Sequence, residues 1–349
     1  MTIDQNGTAL TPLRVACVGA GYFSQFHVDS WQRMPAVQLM GQCDHDATKA
    51  ASHGAPPFTD LDRMLRETRP DVLDIITPPP SHAACIRAAL AQGVRTIICQ
   101  KPFCRDMAEA RAIIAEAEAA GATLVVHENF RFQPWYRAIR RSLDDGRIGT
   151  VLQMTFRLRT GDGQGPRAYL DRQPYFQKME RFLVHETAVH WIDTFRFLLG
   201  APNAVYADLR RVNPVIAGED AGYILFDHPN GVRSLFDGNR LLDHAAENHR
   251  KTLGEALVEG TKGTLSLGGD GAVRFRAFGN LTEEVLLPAQ DSPGFGGDCV
   301  HLLQSHVIDA VRNGDTPENT AADYLAVIAI EQAIYDSSET GRKVRLALT

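Results

Sequence analysis

Four side chains have the types and spacing of a centre that moves a proton off a carbon-bound hydroxyl: Lys101, Glu186, His190 and Asp193. Lys101 lies in Cys99-Gln100-Lys101-Pro102, where an apolar strand pattern gives way to a helix. A lysine at that position faces a cleft, and its ammonium would stabilise a developing alkoxide and lower the hydroxyl pKa. A merely exposed lysine is the alternative. Residues 183–200 carry apolar Val189, Ile192, Phe195, Leu198 and Leu199 at helical spacing. Glu186, four residues before His190, and Asp193, three after it, are expected on the same helix face. An imidazole flanked by carboxylates suits a general base, one carboxylate fixing the tautomer and stabilising the imidazolium. The same trio could ligate a divalent metal, or His190 could be a satisfied core histidine. No second histidine has clear ligand spacing, so no metal is expected.

A partner for that chemistry is written at the amino-terminal end. Leu13-Arg-Val-Ala-Cys-Val18 is an apolar strand that runs into Gly19-x-Gly21-x-x-Ser24. A glycine turn at a strand mouth lets backbone approach a pyrophosphate, and the next helix offers its N–H groups to the charge. A second apolar strand ends in Asp44, roughly 20 residues beyond the glycine motif, where a carboxylate accepts from ribose hydroxyls. Only His45 follows Asp44, with no arginine for a 2′-phosphate, so NAD is favoured over NADP.

Two further clusters sit at predicted strand ends. Thr77-Pro78-Pro79-Pro80-Ser81-His82 makes a stiff turn against which a cofactor can lie, or a plain loop with Ser81 as helix cap. His127-Glu128-Asn129-Phe130-Arg131-Phe132-Gln133 is dense in hydrogen-bonding groups and suits polyol recognition. Residues 161–181, glycine-rich and then dense in Arg167, Tyr169, Arg172, Gln173, Tyr175 and Arg181, are read as a mobile substrate loop, with a surface connection as the alternative.

These groups need a scaffold that presents strand ends together. Apolar strands are expected at 13–18, 37–43, 72–76, 94–99 and 122–126, alternating with helices at 23–33, 60–68, 81–91 and 107–120. That alternation means a parallel sheet covered on both faces. The rhythm changes after residue 127. Strand-like alternation recurs at 204–212, 221–226, 232–239, 253–259, 264–267 and 273–278, with turn pairs such as Lys262-Gly263 between, which indicates an antiparallel meander. Late helices are expected at 298–312 and 320–338. The fold class is therefore α/β: an amino-terminal Rossmann parallel sheet, residues 1–127, then an α/β domain, residues 128–349, with a large, mostly antiparallel open sheet.

At 349 residues the chain has room for two domains, and 44% hydrophobic with 22% charged residues describes an ordinary globular composition. A net charge of −6 disfavours nucleic acid as a partner. The six cysteines form no Cys-x-x-Cys pair and read as reduced buried thiols, which suits the cytoplasm. The polar residues 1–11 lack a signal core, and no apolar run approaches a membrane span.

With Gly-Ala-Gly at 19–21, Thr77-Pro78…His82, Lys101-Pro102 and Glu186-x-x-x-His190-x-x-Asp193 in this order, the chain resembles the Gfo/Idh/MocA oxidoreductases over almost its whole length. The resemblance implies late helices that pack back on the Rossmann domain and a homodimer or homotetramer formed through the open sheet. It makes Lys101 and His190 the catalytic pair, supported by Glu186 and Asp193. Gly19, Gly21, Tyr22, Phe23, Asp44, His45, Thr77, Pro78, His82, Gln100, Lys101 and Asn129 are the expected cofactor contacts. Lys101, Asn129, Arg131, Tyr175, Arg181, Glu186 and His190 are the expected substrate contacts. Gln100 stands where the family has glutamate, Glu186 where it has aspartate, Ser24 where a third glycine or alanine is usual, and Ala188 where glycine is common. The implied activity is NAD-dependent oxidation of a free aldose, apiose among the candidates, at its anomeric carbon to a lactone. A cyclitol ring hydroxyl is the alternative substrate, hydrolysis with retained NAD a third activity, and a non-catalytic dinucleotide-binding regulator the rival class.

Overall fold

In the computed structural model, residues 11–347 are described; the polar stretch in which no signal core is expected lies almost wholly outside them. The chain divides into two compact units, one reaching to Asn129 and taking in Val300–Leu325, the other formed by Phe130–Cys299 with the chain from Ala326 onward.

The first unit holds six strands: β1 (Leu13–Val18), β2 (Val37–Cys43), β3 (Pro57–Phe58), β4 (Val72–Ile75), β5 (Thr96–Gln100) and β6 (Thr123–His127). They lie in the order β3-β2-β1-β4-β5-β6 and every pairing is parallel. The order reverses between β1 and β4, which opens a crevice at the strands' carboxyl ends. Helices α1 (Ser24–Gln32), α2 (Ala47–Ala50), α3 (Leu61–Thr68), α4 (His82–Ala91) and α5 (Met107–Ala119) make the connections. Asp46, Asp60 and Asp106 cap α2, α3 and α5 by accepting from backbone N–H groups in the first turn. β4 and β5 are buried along their whole length, as strands covered on both faces must be.

The second unit holds α6 (Pro134–Asp144), α7 (Val189–Leu199) and a sheet of nine strands: β7 (Val151–Leu158), β8 (Ala204–Arg210), β9 (Ala221–Asp227), β10 (Arg233–Asn239), β11 (Gly254–Gly260), β12 (Gly263–Leu267), β13 (Val273–Ala277), β14 (Glu284–Leu287) and β15 (Val344–Arg345). Their order is β14-β13-β12-β11-β7-β10-β9-β8-β15. The expected meander needs one correction. β7, which the sequence reading left out, lies in the middle and pairs parallel with β10, so two hairpin ladders are joined across it. Its polar Gln153, Thr155 and Arg157 alternate with buried Met154, Phe156 and Leu158.

Trp191 and Phe195 of α7 pack on the buried face of this sheet. The Trp191 ring stacks on Phe156 at 4.1 Å, and Phe195 meets Phe226 edge-on at 5.7 Å. The opposite face carries exposed Tyr206, Tyr223 and Leu257. Two long helices, α8 (Phe295–Asn313) and α9 (Ala321–Thr340), precede β15. No helix among the described residues is long and apolar enough to cross a membrane.

Candidate active site

The dinucleotide cradle follows from the glycine turn. Gly19 has φ +100°, and a Cβ there would lie 2.7 Å from the Ile76 carbonyl carbon, so β4's exit closes against it and only glycine fits. A Cβ at Gly21 would meet nothing within 4 Å. Space is therefore open where a pyrophosphate approaches backbone. α1 begins with no side-chain cap and no acidic residue in its first turn, so no carboxylate of its own offsets the positive end of the helix. Ser24 is fully buried and its Oγ donates to the Gly21 carbonyl at 2.7 Å, so the serine in the third motif position ties the turn down. Asp44 at the end of β2 accepts from Ala20 N–H at 2.8 Å, and the exposed His45 ring lies 3.2 Å from it. Tyr22 is partly exposed, while Phe23 packs against Phe26. These residues fit NAD.

His82 is fully buried with its two ring nitrogens against backbone carbonyls, Phe103 at 2.8 Å and Thr77 at 2.6 Å. Burial lowers its pKa against the raising effect of the carbonyls. It staples the turn after β4 to the turn after β5, with Pro78 exposed beside it.

Lys101 is half-buried at the end of β5, and Asn129 is buried just beyond β6. Gln100 is buried and reaches a polar cluster that the sequence reading did not single out. Its Nε2 lies 2.7 Å from His27 Nε2, and His27 Nδ1 lies 2.8 Å from Asp74. Trp31 Nε1 and Gln304 Nε2 also donate to Asp74, at 2.8 and 3.1 Å. Burial opposes the Asp74 charge, but the His27 ring and its hydrogen bond outweigh that and hold the carboxyl below its usual range. A signal existed: an aspartate within the apolar strand Val-Leu-Asp-Ile needs buried donors.

In the second unit, His190 is buried on the first turn of α7 with its ring flat on Phe130, centroids 3.9 Å apart and planes at 7°. Phe130 in turn meets Trp191 edge-on at 5.2 Å, so the imidazole rests on a fixed aromatic plate. The expected continuous α-helix is corrected here. Leu183–Ala188 is a π-turn, and α7 begins only at Val189. A wider turn alters the i, i+4 alignment of Glu186 with His190. The cause is a set of distant side chains. Glu219 Oε1 accepts from the N–H groups of Phe182 and Val184, both at 3.1 Å, and from the Tyr335 hydroxyl at 2.7 Å. Arg240 donates to Thr187 Oγ1 at 2.6 Å.

Asp193 does not share the environment of Glu186. It is fully buried, and Arg131 grips both of its oxygens, Nε at 2.8 Å and Nη2 at 2.5 Å. Glu186 is half-exposed. The two-pronged pair turns Asp193 and Arg131 into supports for α7.

Residues 161–181 are not a loose loop. Ala168, Tyr169 and Phe176 form a buried cluster with Phe182 and Ile216. Asp162 accepts from Arg240 and Arg172, each at 3.1 Å, and Arg240 beside it outweighs the burial that opposes the Asp162 charge. Arg181 lies over the Tyr335 ring at 4.3 Å and donates to Gln332. Tyr175 remains exposed at 53%, with its phenol pushed up to about 12 by desolvation first and then by Glu186. Among the described residues no group of three or more His, Cys, Asp or Glu is placed to hold a metal.

Residues 13–128 match the model of an oxidoreductase family with an NAD-binding Rossmann fold, and residues 136–266 match the GFO/IDH/MocA C-terminal domain. The chain is 34% identical to a D-apiose dehydrogenase of Paraburkholderia graminis, over 99% of this chain and 92% of that protein. It is 30% identical to a D-apiose dehydrogenase of Rhizobium rhizogenes, over 96% and 98%. An oxidoreductase of Agrobacterium radiobacter, solved in complex with NAD+, L-tartaric acid and magnesium, superposes with a TM-score of 0.86 at 29% identity, over 96% of this chain and 98% of that one.

Proposed function

Since this chain belongs to the GFO/IDH/MocA oxidoreductases, we propose that it is an NAD-dependent dehydrogenase of a free sugar, which it oxidises at the anomeric carbon to a lactone, with apiose the first candidate. The full-length similarity to D-apiose dehydrogenase carries the substrate class. NAD, when bound, supplies the acceptor for the hydride that leaves the hydroxyl carbon. The glycine turn, the N-terminus of α1 and Asp44 would hold it. His190 takes the hydroxyl proton, and its ring cannot swing away from the Phe130 plate without losing the stack. Lys101 of the first unit is assigned to holding and polarising a substrate hydroxyl oxygen. Glu186 and Tyr175 are the remaining groups of the second unit assigned to substrate hydroxyls. Arg131 and Asp193 are assigned to positioning instead, because they grip each other in a two-pronged buried pair.

The six buried free thiols support a reducing, cytoplasmic setting. The exposed sheet face with Tyr206, Tyr223 and Leu257 supports self-association through that surface.

The test is NADH release from a panel of apiose, glucose, galactose, xylose, arabinose and inositol. Apiose should give the highest kcat/KM, and NADP in place of NAD should serve poorly. Inositol as the best substrate would replace the aldose reading with the cyclitol one. Binding of NADH without turnover of any member would leave a non-catalytic binder.

A further inference from the structure

The first unit hides a chain of hydrogen bonds whose proton positions are fixed by one group at its start. Asp74 is a carboxylate and can only accept, so the proton of His27 that faces it, at 2.8 Å, is on Nδ1. The Gln304 amide, 3.3 Å from that same nitrogen, is a fellow donor to the Asp74 oxygen. Gln100 Nε2 lies 2.7 Å from His27 Nε2, and because an amide nitrogen only donates, it makes that ring nitrogen an acceptor. The other end of the Gln100 amide confirms this orientation: its Oε1 accepts the backbone N–H of Lys101 at 3.2 Å. Turning the amide over would set its NH2 against that N–H, donor to donor. The second N–H of Gln100 faces His127 Nδ1 at 3.3 Å, which makes Nδ1 an acceptor and puts the His127 proton on Nε2. The two rings lie 4.2 Å apart, and His27, Asp74, Gln100 and His127 are all buried.

Lys101 and His127 stand at the carboxyl ends of β5 and β6, the edge at which open parallel sheets bind their ligands. We propose that Gln100 is a positioning residue of the reaction centre: its amide ties the Lys101 main chain and the His127 ring to the buried Asp74–His27 couple and holds His127 as an Nε2–H donor. The amide is essential to this arrangement, because only an amide both accepts from Lys101 and donates to two histidines. A carboxylate at position 100 would accept from all three. It would demand a second proton on His27 and the opposite tautomer of His127.

The kinetic part of the test rests on the proposed dehydrogenase reading; the spectroscopic part does not. Nitrogen-15 NMR of histidine-labelled full chain, with and without NAD, should show His27 protonated on Nδ1 alone and His127 on Nε2 alone. An imidazolium at His27 near neutral pH, or a proton on Nδ1 of His127, overturns the proposal. Gln100→Glu should charge His27 and move the His127 proton to Nδ1. It should lower kcat tenfold or more, and by a larger factor than NAD affinity read by fluorescence titration. Gln100→Met, uncharged and similar in volume, should lower kcat as far, which separates lost positioning from added charge and serves if the glutamate variant fails to fold. Unchanged kcat in a folded variant, or a loss confined to NAD affinity, refutes the positioning role. Failure of every sugar in the panel would remove the dehydrogenase reading while leaving the tautomer result standing.

Discussion

The two units solve the same problem, a carboxylate withdrawn from solvent, in different ways. In the first, Asp74 is surrounded by neutral donors: an imidazole, an indole and an amide. In the second, Asp193 is matched by the Arg131 guanidinium and Asp162 by Arg240 and Arg172. Neutral donors leave one net charge inside, and that charge sets which way the neighbouring hydrogen bonds run. Ion pairs cancel the charge and fix geometry, yet removing either partner strands the other. The first arrangement suits a place where protons must sit in defined positions. The second suits a helix and turn that must be held still.

The largest expected effect tests whether the units supply one function between them. Lys101→Met and His190→Ala should each lower turnover by about 10²–10⁴-fold. The double variant should be hardly worse than the poorer single one, since groups that act on the same step are not additive. Independent, multiplying losses would show that the two groups serve separate steps.

Next comes stability in the second unit. Arg131→Met removes the two-pronged partner of buried Asp193, leaves the longer 3.6 Å pair with Arg196, and should cost about 3 kcal/mol in urea unfolding. Adding Asp193→Leu should recover much of that loss. If the single variant is no worse than the double, the pair is not the support described above.

Asp74→Asn should cost less, about 1–3 kcal/mol, because neutral donors lose bonds without being left beside a bare charge. Its pH dependence has a definite sign. The folded Asp74 carboxyl lies below the ordinary value of 3.8, so its contribution is present above that pH. It is lost as pH falls through the folded pKa, and wild type and variant should converge in acid. A larger cost for Asp74→Asn than for Arg131→Met would reverse the comparison between the units. The smallest change is Tyr175→Phe, on a half-exposed ring, which should raise the sugar KM by a few-fold, about 1 kcal/mol, without altering kcat.

The first unit was the more legible because its candidate groups sit at the ends of short apolar strands, and each strand–turn–helix is local. Gly19, Asp44 and Lys101 could be placed from their immediate neighbours. Asp74 was visible in the same way, as an acid in an apolar strand, but its partners were not. Gln304 reaches it from 230 positions along the chain. In the second unit the helical period of residues 183–200 was clear, while the π-turn at its start was not. That turn depends on Glu219 and Arg240, donors and acceptors with no pattern relative to Glu186. β7 escaped because its partners lie far along the chain on both sides of the sheet.

The sequence by itself determined the parallel sheet and the glycine turn and singled out Lys101 and His190 as candidates, because periodicity and turn chemistry act between near neighbours. Only the tertiary structure decided which carboxylate is gripped by an arginine, which stays half-exposed, and which side chains meet the rings of His27 and His127. Those depend on side chains brought together from distant segments, and a hydrogen bond has no direction until both of its ends are present.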